Sequence, residues 1–385
     1  MSGTATAEKV RFKLDRKAFL EAFSRAAAIV PARSPHPAIQ SVLLEAADGE
    51  AFLRSTDTEV FVRTDLNGVE VDGPIRVLLP ADKIGQILKA VKEESLVIEV
   101  DVDSLAVLGL RSEFRLTTHD PNAFPRPDDF REGCPRVEIA SDLLATAIER
   151  TVFATDPQST LYALGGVLFE PTDDGESLNL VGCDGRRLAR QKVPVRPGSD
   201  LSGFGGKQPI VVPPKALRLL SGAIKCQGGD SAVSVAATAT GVLFDLPGVS
   251  RIQSRLVEGR FPNYRRVVPD SPGDSVEIDA ADLADLIRQA AITTTEESQS
   301  VQIVVADGSV SVSSGKTEEG SATSSMPGLF GESSADVLVQ PRLVLDMLKA
   351  LDGETLNVWF GDGETAIVFR DDDSFMYVVM PLSRK

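Results

Sequence analysis

Three stretches of the chain share one pattern of apolar and polar positions. They are VLLPADKIGQILKAV from Val77, IVVPPKALRLLSGAI from Ile210 and VLVQPRLVLDMLKAL from Val337. Each begins as a short apolar strand, and a proline then marks the start of a helix whose apolar residues recur at spacings of three, four and seven. These positions are Ile84, Ile87, Leu88 and Val91, then Leu217, Leu220, Ser221 and Ile224, and then Val344, Met347, Leu348 and Leu351. One helix cannot bury such a stripe alone, so each copy predicts its own packed core.

The spacing of these stretches predicts the domain organisation. Their starts lie 133 and 127 residues apart, which is the size of a domain. A strand that leads into a helix also opens three segments, at Val10, Arg136 and Ser275. The expected N-caps of these helices are Asp15, Ser141 and Asp279. We predict a disordered N-terminal tail at residues 1–7 and three domains at residues 8–133, 134–271 and 272–385.

The residues between the two helices of each segment read as short strands. In the first segment, alternating apolar and polar residues on both sides of Asp48 and Gly49 predict a hairpin. Helices grouped against antiparallel strands are typical of the α+β class. The sequence therefore predicts three α+β domains of like topology, each with two helices against antiparallel sheets.

Composition places the chain among ordinary globular proteins. The hydrophobic content is 42%, and no run of apolar residues is long enough to span a membrane. Residues 1–7 are small and polar and do not form a secretion signal, so we expect a cytoplasmic protein with no membrane contact. The three cysteines, Cys134, Cys183 and Cys226, are far apart in sequence, and we expect three free thiols.

The charge is unevenly distributed. The formal net charge is −16, which by itself argues against a nucleic-acid partner. The three repeated helices have the opposite balance of charge. They contain eight basic residues and only three acidic ones, Asp82, Asp346 and Asp352. The basic residues are Lys83, Lys89, Lys92, Lys215, Arg218, Lys225, Arg342 and Lys349. The pattern fits either a solvated helix face or a surface that meets phosphates.

The chain offers no catalytic constellation. Its only histidines, His36 and His119, both lie in stretches flanked by proline. The segment GFGGK from Gly203 to Lys207 leads into a strand, whereas a phosphate loop needs a helix there. Asp371 and the two aspartates after it fit either a cation site or an acidic turn. We expect no enzymatic activity, no cofactor and no resident metal.

Four motifs, in order, carry a resemblance to a known family. They are LYALGGVLFE from Leu161, LVGCDGRRLA from Leu180, LVEGRFPNYRRVVP from Leu256 and YVVMPL from Tyr377. Together with the threefold repeat they resemble the bacterial sliding clamps, the β subunits of DNA polymerase III, over essentially the whole chain. The resemblance implies DNA-clamp domains in a homodimeric ring that encircles duplex DNA without sequence preference, with helices lining the hole.

The resemblance also implies which residues meet DNA and which close the ring. Family loop positions that contact DNA match Arg33, Gln158 and Tyr162, and the helix residues expected to face DNA are Lys83, Lys89, Lys215, Arg218 and Lys349. Phe114 and Ile292 match positions at the dimer interface. Acidic outer strands would lie beyond the Debye length of about 8 Å from the DNA, so the negative net charge does not conflict with a ring.

A groove that binds short apolar peptides is the third implied site. Its family partners are the polymerase III catalytic subunit, the clamp loader, other polymerases and repair proteins. The matching residues are Leu164, Gly185, Arg186, Arg187, Leu188, Pro262, Val267, Leu343, Val378, Val379, Met380, Pro381 and Leu382. This chain departs from the family at Cys183, Arg186, Leu343 and Leu382, where threonine, histidine, tyrosine and methionine are common. The alternative function is a three-domain scaffold or ligand-binding protein that does not encircle DNA.

Overall fold

The computed structural model describes most of the three predicted segments. The described residues are 10–47, 49–101, 104–127, 130, 133–159, 162–206, 208–227, 231–268, 275–295, 299–316, 318, 320–327, 334–351, 355–360, 365–371 and 374–383. The predicted tail at residues 1–7 lies outside these ranges, as do Asp48, Lys207, Asp372 and Asp373. Residues 271 and 272 also lie outside them, and the exact domain boundaries stay predictions.

Six helices occur within the described ranges, two in each segment. They are α1 (Arg16–Ala27), α2 (Ala81–Ala90), α3 (Ser141–Thr151), α4 (Pro214–Gln227), α5 (Ala280–Ala291) and α6 (Pro341–Leu351). The three repeated stretches of the sequence become α2, α4 and α6. All twelve positions of the predicted apolar stripes are buried, including the polar Ser221. The helical periodicity read from the sequence is therefore confirmed.

Strands make up the rest of each segment. The first contains β1 (Val10–Asp15), β2 (Ser41–Ala47), β3 (Glu50–Thr56), β4 (Val60–Asp65), β5 (Glu70–Val71), β6 (Ile75–Pro80), β7 (Ser95–Val100), β8 (Ser104–Leu108) and β9 (Glu113–Thr117). The second contains β10 (Arg136–Ala140), β11 (Val167–Pro171), β12 (Ser177–Cys183), β13 (Arg187–Pro194), β14 (Ile210–Val212), β15 (Ala232–Ala237), β16 (Gly241–Leu246) and β17 (Ser250–Arg255). The third contains β18 (Val276–Asp279), β19 (Val301–Ala306), β20 (Ser309–Ser314), β21 (Thr323–Pro327), β22 (Ala335–Val339), β23 (Thr355–Trp359), β24 (Ile367–Arg370) and β25 (Phe375–Val379).

The N-caps show how local sequence sets the helix starts. Asp15 accepts a hydrogen bond from the amide of Ala18 at 2.7 Å, and Asp279 accepts one from Ala281 at 2.8 Å. Both caps were predicted. Ser141 was predicted wrongly, because it is the first residue of α3 and the preceding cap position is Ala140. The Ser141 hydroxyl instead lies 2.7 Å from that of Ser231.

The predicted first hairpin is present. β2 and β3 pair antiparallel, and Ala47 lies opposite Glu50. Gly49 in the turn has a φ of +85°, a conformation that glycine adopts without steric cost.

The strands form four antiparallel sheets with a regular plan. Their strand orders are β5-β1-β7-β8-β9, β10-β15-β16-β17-β4-β3-β2-β6, β14-β11-β12-β13-β25-β24-β23-β18 and β21-β20-β19-β22. The first segment therefore contributes one set of five strands and one of four, and each of the other two segments contributes two sets of four. In each eight-stranded sheet, one set comes from the middle segment and one from a neighbour. This confirms three tandem α+β domains of like topology.

Contacts within the chain divide it into two units, each with its own cores. The first is Met1–Asp142 with Lys215–Leu256, and the second is Leu143–Pro214 with Val257–Lys385. The division falls inside the middle segment because its two strand sets belong to different sheets. In the first unit, α1 and α2 pack together in one core between the sheet that contains β1 and the strands β2, β3, β4 and β6. In the second unit, α5 and α6 pack together in the same way.

Candidate functional site

The second unit holds an apolar surface built on three neighbouring strands. The register of β13, β25 and β24 aligns Leu188, Val378 and Val368 across the sheet. All three are buried in one cluster with Leu164 and Cys183. Three of the predicted groove residues, Leu164, Leu188 and Val378, are thus brought together as a shared floor.

Three other predicted groove residues are exposed. The exposed fractions are 47% for Val267, 43% for Met380 and 40% for Leu382. Pro262 and Pro381 are half-buried. Exposed large apolar side chains beside an apolar floor are the usual sign of a surface that binds a partner.

A tight turn between β12 and β13 holds the end of β25. Asp184 accepts hydrogen bonds from the amides of Arg186 and Arg187, at 2.9 and 3.0 Å. Gly185 in this turn has a φ of +86°, which favours glycine. The amide of Met380 donates to the carbonyl of Arg186 at 3.0 Å, so the exposed methionine is fixed beside the exposed Arg186.

Arg187 is buried and makes several polar contacts, which could not be predicted from its position in the motif. Its side chain is only 9% exposed, and it donates to Asp184 at 2.9 Å and Asp346 at 2.8 Å. A third donor reaches the carbonyl of Phe153 at 2.8 Å. Burial opposes the charge, but Tyr377 and the Asp346 carboxylate raise the pKa of Arg187 above its usual value. Arg187 therefore ties β13 to α6, and Arg186 is the arginine that is open to a ligand.

Two predicted groove residues face a different core. Val379 follows Val378 directly in β25, and adjacent strand residues point to opposite faces of a sheet. Val379 and Leu343 are both buried in the cluster beneath α5 and α6, and not in the groove floor. The hydroxyl of Tyr377 donates to the carbonyl of Leu343 at 2.7 Å and holds it there. Of Leu343, Val379 and Leu382, only Leu382 is exposed.

The predicted DNA contacts are all exposed side chains. They are Lys83 and Lys89 on α2, Lys215 and Arg218 on α4, Lys349 on α6, and Arg33, Gln158 and Tyr162 in loops. Lys215 forms an ion pair with Asp57. Although burial of Asp57 opposes this, the hydrogen bond from Lys215 and two backbone amides hold its pKa below the usual value. Lys215 is thus partly neutralised within the chain.

The two predicted interface residues belong to different units. Phe114 is in β9, an edge strand of the five-stranded sheet, and is partly buried against its core. Ile292 follows α5 and is 75% exposed. β21, which packs against α5, is an edge strand of the four-stranded sheet.

The described ranges include His36, His119, Asp371 and the three cysteines. Within them, no group of three or more His, Cys, Asp or Glu side chains could hold a metal ion. His36 and His119, far apart in sequence, line one cavity of about 570 Å³. Asp371 is paired with Arg150 at 2.7 Å. The three cysteines are free thiols, as predicted.

Within the described residues, none of the helices combines the length and the apolar character needed to cross a bilayer. The longest is α4, and charged side chains interrupt it.

Comparisons with known proteins agree on one family. The family models for the N-terminal, central and C-terminal domains of the DNA polymerase III beta subunit match residues 10–128, 138–263 and 265–383. The chain is 27% identical over 376 residues to the beta sliding clamp of Escherichia coli (strain K12), with 97% of this chain and 100% of that one covered. It is 28% identical over 385 residues to the beta sliding clamp of Vibrio cholerae serotype O1, with the same coverage.

A solved structure gives the same result for the fold. The crystal structure of the DNA polymerase III subunit beta from Pseudomonas aeruginosa superposes with a TM-score of 0.87 at 25% identity, covering 97% of this chain and 100% of that one. The repeat, the four motifs and the three domain matches in order together show that this chain belongs to the DNA polymerase III beta subunit family.

Proposed function

We propose that the chain is a sliding clamp, in which two copies close into a ring around duplex DNA and tether the replicative polymerase. The observation that carries this proposal is the continuation of strands from one domain to the next. β17 of the second segment pairs with β4 of the first, and β25 of the third pairs with β13 of the second. Each junction joins the edge strand of one four-stranded set to the edge strand of another.

Two edge strands that fit the same pairing rule, β9 and β21, have no partner strand on one side within the described residues. By their place in the plan, β9 corresponds to β17 and β25, and β21 corresponds to β4 and β13. β9 and β21 are both five-residue edge strands with unpaired backbone groups on one side. Pairing β9 of one chain with β21 of a second copy repeats the internal junction, and doing so twice closes a symmetric ring. Phe114 and Ile292 are the proposed contacts beside this junction.

The ring requires a dimer, and light scattering after gel filtration measures it directly. We expect a mass twice the 41.1 kDa of one chain at micromolar concentration. A stable monomer at that concentration would instead favour a scaffold or ligand-binding protein that never encircles DNA.

DNA is proposed to meet the helices. α2, α4 and α6 carry exposed basic residues although the chain as a whole has a net charge of −16. Phosphate contacts by Lys and Arg supply affinity that does not depend on sequence. The helix residues proposed to face DNA are Lys83, Lys89, Arg218 and Lys349. The loop residues proposed to contact DNA are Arg33, Gln158 and Tyr162. Lys215 contributes less because Asp57 already pairs with it.

Partner proteins are proposed to dock in the groove of the second unit. An apolar side chain of a short peptide would rest on the floor of Leu164, Leu188 and Val378, bordered by Val267 and Met380. Arg186 and Leu382 complete its rim. The proposed partners are the polymerase III catalytic subunit, the clamp loader, other polymerases and repair proteins, which all would use short apolar motifs.

The proposed activity is mechanical and not catalytic. A clamp raises the processivity of a polymerase by staying linked to DNA, and it needs neither a nucleophile nor a cofactor. We propose that the protein acts in the cytoplasm, where its DNA and polymerase partners are.

A further inference from the structure

Two arginines continue the floor of the groove, and neither the sequence pattern nor the family motifs singled them out. Across β13, β25 and β24 the floor row is Leu188, Val378 and Val368, and the next row is Arg190, Met376 and Arg370. Side chains two residues apart in a strand share a face, about 7 Å apart. The second row, here called the arginine shelf, therefore lies on the groove side of the sheet directly beside the apolar floor.

Within the described ranges, the guanidinium groups of the shelf are short of acceptors, and that of Arg370 lies over the Trp359 ring at 5.4 Å. The Nε atoms of Arg190 and Arg370 are buried and have no hydrogen-bond partner. Arg370 Nη2 donates to the Met376 sulfur at 3.7 Å, and a thioether is a weak acceptor. Within the described ranges, neither guanidinium forms a salt bridge. Half-buried arginines ordinarily have carboxylate or carbonyl partners, so this pair is short of negative charge.

Among the described residues, the surroundings add positive charge and do not supply a free carboxylate. Burial lowers the pKa of Arg190, Tyr264 opposes that shift, and the charges of Arg370 and Arg265 reinforce it. Glu170 is the acid beside Tyr264, and it already accepts from the Tyr264 hydroxyl at 2.7 Å and from Arg265 at 3.2 Å. Two cations on either side of Met376 thus repel each other in a chain that is acidic overall.

Asp371, the next residue after Arg370, does not serve the shelf. Asp371 follows the end of β24, and its carboxylate pairs with Arg150 at 2.7 Å. It also accepts from the amide of Phe375 at 3.0 Å. Asp372 and Asp373 lie outside the described residues, so they are included in the experiment below.

We propose that the arginine shelf binds a carboxylate of the partner peptide, carried by an aspartate or glutamate about two residues from the apolar side chain that rests on Leu188 and Val378. The inference rests on the proposed function of the groove. A carboxylate has two oxygens that can accept from both guanidinium groups at once, which satisfies the stranded donors and cancels their repulsion. The spacing follows because an extended peptide that runs along the strands advances about 7 Å in two residues.

The experiment uses the full-length protein and a scan of overlapping peptides from the polymerase III catalytic subunit of the same organism. The tightest peptide is the probe, and its main apolar residue is the one whose replacement by alanine costs most affinity. Aspartate and asparagine forms are made two residues before and two residues after that residue. We expect the aspartate form to bind about tenfold more tightly at one of these positions by isothermal titration calorimetry, which corresponds to 1.4 kcal/mol.

Variants of the protein separate the shelf from general electrostatics. Arg190→Gln combined with Arg370→Gln should abolish the tenfold preference while the asparagine peptide still binds. Arg196→Gln removes an exposed charge of the same unit and should keep the preference. Arg190→Lys with Arg370→Lys retains the charge and should keep part of it. Asp372→Asn with Asp373→Asn should leave the affinities for the aspartate and the asparagine peptides unchanged.

Each outcome decides a different point. Equal affinities for the aspartate and asparagine peptides on the unaltered protein would overturn the shelf as a carboxylate site and leave the groove intact, even if the glutamine variant does not fold. A preference that persists in the glutamine variant would overturn it as well. If the aspartate peptide binds more tightly to the variant Asp372→Asn with Asp373→Asn, internal carboxylates occupy the shelf in the unaltered protein. Failure of every peptide to bind would instead reject the groove itself.

Discussion

Met380 allows the proposed groove to be tested with little disturbance of the fold. Its side chain is 43% exposed, whereas Leu188 in the groove floor is 1% exposed. We expect Met380→Ala to weaken binding of a polymerase-derived peptide by about 1–2 kcal/mol, because it truncates an apolar contact at the rim. Calorimetric titration measures this loss. The melting temperature should stay unchanged, because exposed substitutions usually alter stability by about 0.5 kcal/mol or less.

Leu188→Ala is the contrasting variant. A buried leucine truncated to alanine leaves a cavity and typically costs about 2–5 kcal/mol of stability. Leu188→Ala should therefore lower the melting temperature as well as peptide affinity. Unchanged peptide affinity in Met380→Ala would show that the groove does not use this side chain.

Tyr264 gives the fold a dependence on high pH. Burial, with the adjacent Glu170 carboxylate, raises the pKa of Tyr264 to about 12. The ordinary tyrosine pKa is about 10, so the neutral phenol stabilises the fold fully below that value, and the contribution is lost as pH rises from 10 toward 12. We expect a loss of about 1 kcal/mol between pH 9 and pH 11 in urea unfolding.

Tyr264→Phe isolates this contribution. The variant loses the hydrogen bond to Glu170, so its stability is lower at both pH values, but its fall between pH 9 and pH 11 should be shallower. Tyr162→Phe, which removes an exposed hydroxyl, should leave the fall unchanged. Equal slopes in all three proteins would mean that Tyr264 ionises as freely in the folded state as in the unfolded one.

The basic faces of α2, α4 and α6 should act on DNA and not on folding. Replacing Lys83, Lys89, Arg218 and Lys349 by serine should weaken binding to duplex DNA and flatten its salt dependence. Each phosphate contact contributes roughly −0.9 to the slope of log affinity against log salt. Lys215 is left in place because it pairs with Asp57. Stability should be nearly unchanged because these side chains are exposed.

A matched variant controls for net charge. Serine at Arg11, Lys13, Lys192 and Arg251 removes the same number of positive charges from exposed strand positions. We expect the salt slope of this variant to match the unaltered protein. Equal loss of DNA binding in both variants would show that total charge, and not the helix faces, governs the interaction.

The helices were predictable because their signals are local. Apolar residues at helical spacing found all three stripes, and the short side chains of Asp15 and Asp279 marked two helix starts. Ser141 was a misreading of the same signal, since a serine one residue inside the helix looks like a cap. The opposite faces of Val378 and Val379 could not be predicted for a similar reason, because a motif names neighbours without saying which face of the strand each one occupies.

Features that join distant parts of the chain could not be read in this way. The pairing of β17 with β4 and the ties of Arg187 to Asp346 and Phe153 depend on long-range contacts that leave no periodic trace. The arginine shelf is of the same kind, because Arg190 and Arg370 are 180 residues apart and meet only through strand register. The repeated strand plan has the same long-range character, since it leaves the edges of β9 and β21 for the proposed pairing with a second copy.

Retention on circular DNA tests the ring most directly. Protein loaded on closed circular duplex should stay bound in salt that dissolves ordinary phosphate contacts, because it is linked by topology and not by affinity. A single restriction cut should then release nearly all of it within the time needed to slide off the ends. Equal retention on cut and uncut DNA would show that the protein grips duplex by contact alone, and would contradict an encircling clamp.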